Sequence, residues 1–180
     1  MPPARELTPG HVVTYPNRQG PASHTARGLV IATLAASIAL ILAVTIGGWS
    51  ELAGLRPVNL IWCALYALIA VYVSRWSRGL LPIAIALAAL MLAISVAAGT
   101  GATGTSWFDR ANDAYAPARS MFGGPGLSAT TLGVLTLFIA PFQVLVIAIA
   151  SYAFGQAWNV ELEIPVSQTP GASGGAPAAS

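Results

Sequence analysis

The chain has 180 residues, of which 56% are hydrophobic and only 8% are charged, and its mean hydropathy is +0.71. Since a soluble domain carries about 25% charged residues, this composition excludes a water-facing surface over most of the chain. All eight basic residues are arginines, they form no cluster, and the net charge is only +2, which gives no basis for nucleic-acid binding. Arginine without lysine, among abundant Ala and Gly, is typical of a GC-rich bacterial genome, and we expect a bacterial plasma-membrane protein.

The two ends of the chain have compositions that favour disorder. Residues 1–27 mix Pro, Gly and polar residues without periodicity, and residues 159–180 become a low-complexity Pro/Gly/Ala/Ser sequence from residue 165. Such segments bury too little apolar area to offset the entropy lost on ordering. We therefore expect a disordered N-terminal tail and a C-terminal tail on either side of a membrane domain over residues 28–158.

Four apolar segments within that domain approach or exceed the roughly 20 residues needed to cross a bilayer. They cover residues 28–49, 58–77, 80–100 and 129–157. The first is preceded by 27 mostly polar residues, which is atypical of a cleaved secretory signal. The sequence thus predicts an all-α, integral membrane four-helix bundle.

The arginines predict the orientation of the spans. Five fall on one side of the membrane, namely Arg5, Arg18, Arg27, Arg75 and Arg78. Three fall on the other, namely Arg56, Arg110 and Arg119. The side richer in basic residues faces the cytoplasm, so both termini are predicted to be cytoplasmic.

Two stripes of small residues recur every four positions along the first and third spans. They consist of Ala35, Ala39, Ala43 and Gly47, and of Ala89, Ala93, Ala97 and Gly101. Helices in lipid associate through close backbone approach at small residues. We interpret both stripes as candidate packing faces, either within the bundle or towards another subunit, although a chain rich in alanine also produces this spacing by chance.

The connection over residues 101–128 is the one sizeable polar segment between spans, and it is predicted to be external. Ser106 and Asp109 match a capping box, which favours a short interfacial helix from Trp107 to about Ala116. Its candidate docking residues are Trp107, Asp109, Arg110, Asp113 and Tyr115. The alternative is a solvated loop with little helix.

The fourth span contains Pro141, a candidate kink, and the amide Gln143 two residues later. Gln143, Tyr66 and Ser37 all fall near mid-depth in their spans, so we expect them to form a polar layer inside the membrane. Two interpretations remain open for this layer. It is either structural, joining the helices by hydrogen bonds, or it is a hinge or binding pocket for a small amphiphile.

The residue types missing from the spans restrict the chemistry. None of the four segments contains Asp, Glu, Lys or His, which argues against a proton carrier, a haem site or a metal centre. Cys63 is the single cysteine and lies in an apolar stretch, as a buried thiol does. We expect no enzyme activity and no cofactor. Expected partners are the lipid bilayer and another membrane protein or a second copy.

Two functions are consistent with these observations. The first is a non-catalytic accessory or scaffolding subunit of a larger membrane complex. The alternative is a small carrier or channel-like protein for a neutral or lipidic solute, with a polar pocket at Tyr66 and Gln143.

Overall fold

A computed structural model describes residues 8–52, 54–100 and 119–166. In chain order, the elements are β1 (His11–Thr14), α1 (Pro16–Gln19), α2 (Pro21–Gly47), α3 (Arg56–Ser74), α4 (Leu81–Thr100), α5 (Ala129–Gly155) and β2 (Leu162–Pro165). The protein is mostly helical in this part of the chain. The helices α2 to α5 are each long enough and apolar enough to cross a membrane, which indicates a multi-pass membrane protein.

The helix bounds follow local chemistry. Pro21 and Pro57 occupy first-turn positions, where the missing backbone N–H needs no partner within the helix. Ser128 caps α5 by accepting a hydrogen bond from the backbone N–H of Thr131 at 3.2 Å. The largest departure from the predicted spans is at α2, which begins seven positions before residue 28 and includes His24 and Arg27. These two residues occupy the first turns of a helix whose remainder carries no charged side chain.

The four long helices, called here the helical core, pack in the order α3, α2, α5, α4. The contact between α4 and α5 is the most extensive, α2 packs against both α5 and α3, and α3 and α4 touch only slightly. The buried residues of α4 are mostly small, including Ala84, Ala88 and Ser95, so its backbone comes close to α5. The ring of four helices is therefore closed tightly on three sides and loosely on the fourth.

Gly99 shows how close α4 and α5 come. A Cβ atom at this position would lie 3.0 Å from Cβ of Leu137, 3.1 Å from its backbone N and 3.2 Å from the carbonyl O of Gly133. The last two are backbone atoms of a helix and have little freedom to move away. The absence of a side chain at Gly99 therefore allows α4 and α5 to approach this closely.

The structure corrects the expectation of disordered tails within residues 8–27 and 159–166. β1 and β2 pair antiparallel, with His11 opposite Pro165 and Thr14 opposite Leu162. The physical reason is that backbone pairing and long-range side-chain contacts supply the ordering energy that composition alone does not reveal. The segments before α2 and after α5 are thus joined at one end of the helical core.

Candidate functional site

Ser37, Tyr66 and Gln143, the three residues grouped by the sequence as a polar layer, are in contact in the structure. The hydroxyl of Tyr66 donates to Oε1 of Gln143 at 2.6 Å, and Nε2 of Gln143 donates to Oγ of Ser37 at 3.2 Å. All three side chains are fully buried. The helices α2, α3 and α5 each contribute one residue, so the network crosses the centre of the helical core.

The direction of each hydrogen bond follows from the single proton of Ser37. Its hydroxyl donates to the carbonyl O of Thr33 at 2.9 Å, so its oxygen must accept from the amide nitrogen of Gln143. The amide oxygen then faces Tyr66 and accepts from its hydroxyl. Each of the three side chains thus has a partner inside the protein, which is the condition under which a buried polar network stabilises a fold.

Pro141 does not belong to this network. α5 continues through Pro141, whose ring is exposed on the outer surface, whereas Gln143 two positions later faces the interior. Proline cannot donate the usual hydrogen bond to the carbonyl of Leu137. The missing hydrogen bond therefore lies on the exposed side of α5, away from Gln143.

A second polar contact lies near the N-terminal end of α3. Nδ2 of Asn59 donates to Oγ1 of Thr45 at 2.9 Å, and the Thr45 hydroxyl donates to the carbonyl O of Ile41 at 2.7 Å. Between the two contacts, Sγ of Cys63 lies 4.0 Å from the carbonyl O of Ile38. The face formed by Asn59, Cys63 and Tyr66 therefore turns inwards.

The two small-residue stripes face away from the interior. Ala35, Ala39 and Ala43 on α2 are exposed, as are Ala89, Ala93 and Ala97 on α4. Gly47 is the exception, since it packs against the side chain of Leu127. The contacts within the core use other faces of both helices, and the exposure of the six alanines favours the second alternative for these stripes, packing towards another subunit.

Several predicted residues lie outside the described part of the chain. The candidate docking helix of Trp107, Asp109, Arg110, Asp113 and Tyr115 falls within residues 101–118, and so does Gly101. Among the described residues, no group of three or more His, Cys, Asp or Glu side chains could hold a metal ion.

The end of the core that carries both terminal segments has a cluster of aromatic and cationic side chains. Trp76 and Trp158 meet edge to face with centroids 5.6 Å apart. The guanidinium of Arg27 lies 4.2 Å from the Trp76 ring centroid, and His24 contacts the same ring at 5.0 Å. Trp158 is fully buried, so the cluster anchors the segment after α5 to the turn between α3 and α4.

Trp76 holds a backbone conformation that usually requires glycine. Its φ is 66°, and it follows the last turn of α3 in a Schellman arrangement, with Ser77 N–H donating to the carbonyl of Tyr72 at 3.0 Å. A bulky residue in this region is strained by roughly 1–2 kcal/mol. The contacts of Trp76 with Arg27, His24 and Trp158 offset that strain.

Comparison with known proteins gives no assignment. No protein-family model, no curated protein and no solved structure matches the chain.

Proposed function

We propose that this protein is a non-catalytic accessory or scaffolding subunit of a membrane complex in a bacterial plasma membrane. The observation that carries the proposal is the outward orientation of Ala39 and Ala93, each at the centre of a stripe of exposed alanines. The partner is a helix of another membrane protein, or of a second copy, that packs on one or both stripes.

The physical basis is the absence of a hydrophobic drive between helices in lipid. Lipid tails are as apolar as leucine, so helices associate where small side chains allow van der Waals contact over a long backbone interface. α4 carries small residues on two faces. Ala84 and Ala88 are fully buried within the core, which leaves the stripe around Ala93 for an external helix.

The interior supports a structural role for the polar layer. The polar atoms of Ser37, Tyr66 and Gln143 bond to one another and to the carbonyl of Thr33, at distances of 2.6–3.2 Å. A carrier pocket at Tyr66 and Gln143 would have to break these bonds to admit a solute. This geometry favours the accessory subunit over the carrier.

The proposed orientation places both termini in the cytoplasm. Pairing of β1 with β2 joins the two terminal segments at one end of the core, which is expected for an even number of spans. Of the arginines in the described residues, Arg18, Arg27, Arg75 and Arg78 lie at this end, and Arg56 and Arg119 at the other. The basic end is the cytoplasmic one under the positive-inside rule.

Cross-linking in native membranes followed by purification in mild detergent tests the proposal. We expect a cross-linked species containing either a second protein or a second copy, identified by mass spectrometry. Ala39→Leu and Ala93→Leu should reduce its yield because the larger side chains separate the helices. Ala67→Leu, at an exposed alanine of α3 outside both stripes, is the matched control. A stable monomer with no partner, or equal loss in all three variants, would contradict the proposal.

A further inference from the structure

A cavity of about 380 Å³ lies inside the helical core, away from the Tyr66–Gln143 contact. Its size is at the low end of the range of about 300–1,000 Å³ that is usual for small-molecule sites. All four long helices contribute to its wall, among them Ile41 of α2, Asn59 of α3, Met91 of α4 and Ile139 of α5. Neither Tyr66 nor Gln143 lines it.

The cavity lies between α3 and α4, at the end of the core where these two helices are not in contact. These helices are joined by the short turn at residues 75–80 and make little contact with each other. The cavity is lined by Leu55 and Asn59 at the start of α3 and by Ala98 near the end of α4, so it lies at the end opposite the turn. Leu55 and Ile94, which also line it, are 43% and 44% exposed. The cavity is therefore accessible sideways from the lipid.

The lining is apolar except for three polar side chains. The first of these is Asn59, whose amide orientation is fixed by its hydrogen bond to Thr45. The Thr45 hydroxyl donates its proton to the carbonyl of Ile41 and can only accept from Asn59. The atom of Asn59 that faces Thr45 must therefore be the amide nitrogen. The other amide atom, Oδ1, accepts no hydrogen bond from the described residues. Asn59 therefore retains an acceptor.

Thr136 and Ser95 contribute the other polar groups. Thr136 is 7% exposed, and its Oγ1 has no hydrogen-bond partner within residues 8–52, 54–100 and 119–166. A buried hydroxyl without a partner is unfavourable, so a ligand that enters the cavity and bonds to the Thr136 hydroxyl removes that cost. Ser95 donates to the carbonyl of Leu92 at 3.0 Å and keeps acceptor capacity. None of the lining residues is charged.

We propose that this cavity binds a neutral, single-chain lipid of the monoacylglycerol class. The acyl chain lies along the apolar wall, and a head-group hydroxyl donates to Asn59 Oδ1 while the Thr136 hydroxyl bonds to the head group. A charged head group is disfavoured because burying an ion without a counter-charge is costly. The modest volume admits one chain at most, and the part of the chain that the cavity does not hold extends through the lateral opening beside Leu55 and Ile94. The site shares Ala97 with the α4 stripe, but neither Ala39 nor Ala93 lines it, so the variants that test the accessory role leave its wall unchanged.

Photolabelling tests the site. A monoacylglycerol with a diazirine in its chain is added to the purified full-length protein in nanodiscs, and labelled peptides are mapped by mass spectrometry. We expect saturable labelling on the peptides that contain Asn59, Met91 and Thr136. Unlabelled monoacylglycerol should compete, and the fatty acid of equal chain length should compete at least several-fold less well.

Two variants and a control complete the experiment. Ala98→Phe fills the cavity and should abolish saturable labelling. Thr136→Val keeps the side-chain volume and should weaken binding roughly 2- to 10-fold, the effect of one neutral hydrogen bond. Ala67→Phe, at an exposed position of α3 away from the cavity, should have no effect. The proposal is overturned by labelling that does not saturate, by equal competition from the fatty acid, or by unchanged binding in Thr136→Val. Failure of this test leaves the partner cross-linking result unaffected.

Discussion

Gln143 on α5 accepts a hydrogen bond from Tyr66 on α3 at 2.6 Å, although these two helices make little other contact. α3 is held to the core mainly through α2. The Tyr66 side chain thus reaches past α2 to a helix on its far side, and Ser37 of α2 bonds to the same amide. A single amide in the membrane therefore joins three helices.

A double-mutant cycle measures this link. Tyr66→Phe and Gln143→Leu should each lower the free energy of unfolding by about 1–2 kcal/mol, because each leaves a buried polar group without a partner. The double variant should lose less than the sum, with a coupling of about 0.6–1.7 kcal/mol. Tyr72→Phe, at a tyrosine of α3 that is 45% exposed, is the control and should match the parent. Additive losses would show that the bond does not contribute to stability.

Most of the helical architecture is readable from the sequence because apolar length reports membrane spans directly. The helices α3, α4 and α5 begin and end within three residues of the predicted spans. The grouping of Ser37, Tyr66 and Gln143 also follows from the sequence, since polar side chains at mid-depth need partners where no water is present. Depth alone was enough to select these three residues.

The side of each helix that points into the core could not be predicted in the same way. In a soluble helix the polar face marks the outside, but here both the lipid and the interior are apolar. Ala88 is buried and Ala89 is exposed, yet nothing in their residue type distinguishes them. The cavity was missed for a related reason, because it depends on how far α3 and α4 diverge. The β1–β2 pair was missed because two four-residue strands lie about 150 positions apart.

The contact of Gly99 with α5 gives a second prediction. Gly99→Ala places a methyl group 3.1 Å from a backbone nitrogen and 3.2 Å from a carbonyl oxygen, and we expect a loss of about 1–3 kcal/mol in the free energy of unfolding. Gly28→Ala is the matched control, since a Cβ there has no heavy atom within 4 Å. It should be neutral or stabilising by up to about 1 kcal/mol. Equal stability of the two variants would mean that α4 and α5 can separate freely at Gly99.

The terminal segments should respond to strongly alkaline pH. The Tyr15 hydroxyl donates to Oε1 of Glu161 at 2.9 Å, and this hydrogen bond raises the pKa of Tyr15 above its ordinary value of 10.0. A raised pKa means that the contact stabilises the folded state fully below pH 10.0 and is lost as pH rises through the higher value. Titration by NMR of ¹³C-labelled tyrosine checks this, with Tyr15→Phe to assign the signal.

Replacing the acceptor tests the cause of that shift. Glu161→Ala should return the pKa of Tyr15 towards 10.0, since the carboxylate supplies both the hydrogen bond and the repulsion of a phenolate. The segment over residues 8–14 should also exchange its amide hydrogens faster in this variant. An unchanged pKa in Glu161→Ala would place the cause elsewhere.

Cys63 should resist modification from water. It is buried, 8% exposed, and its Sγ lies against the carbonyl of Ile38. We expect no reaction with a membrane-impermeant maleimide in intact membranes, and full reaction after denaturation in detergent. A cysteine introduced at Ser50, an exposed residue, serves as the reactive control in a Cys63→Ala background. Rapid labelling of Cys63 would indicate a water-filled path and favour the carrier over the accessory subunit.

The last prediction concerns the orientation of the chain and its dependence on Pro141. Reporters fused at residues 3 and 178 should both read cytoplasmic, and one inserted near residue 104 should read external. Pro141→Ala should leave all three readings unchanged, because insertion depends on hydrophobic length and flanking arginines, and Pro141 faces outwards from α5.

Exchanging both Arg75 and Arg78 for Ala removes two of the basic residues at the proposed cytoplasmic end and should lower the fraction of molecules in this orientation. A terminus on the external side in the parent protein would overturn the proposed topology. A change of orientation in Pro141→Ala alone would show that the proline, and not the charge distribution, governs how the fourth span inserts.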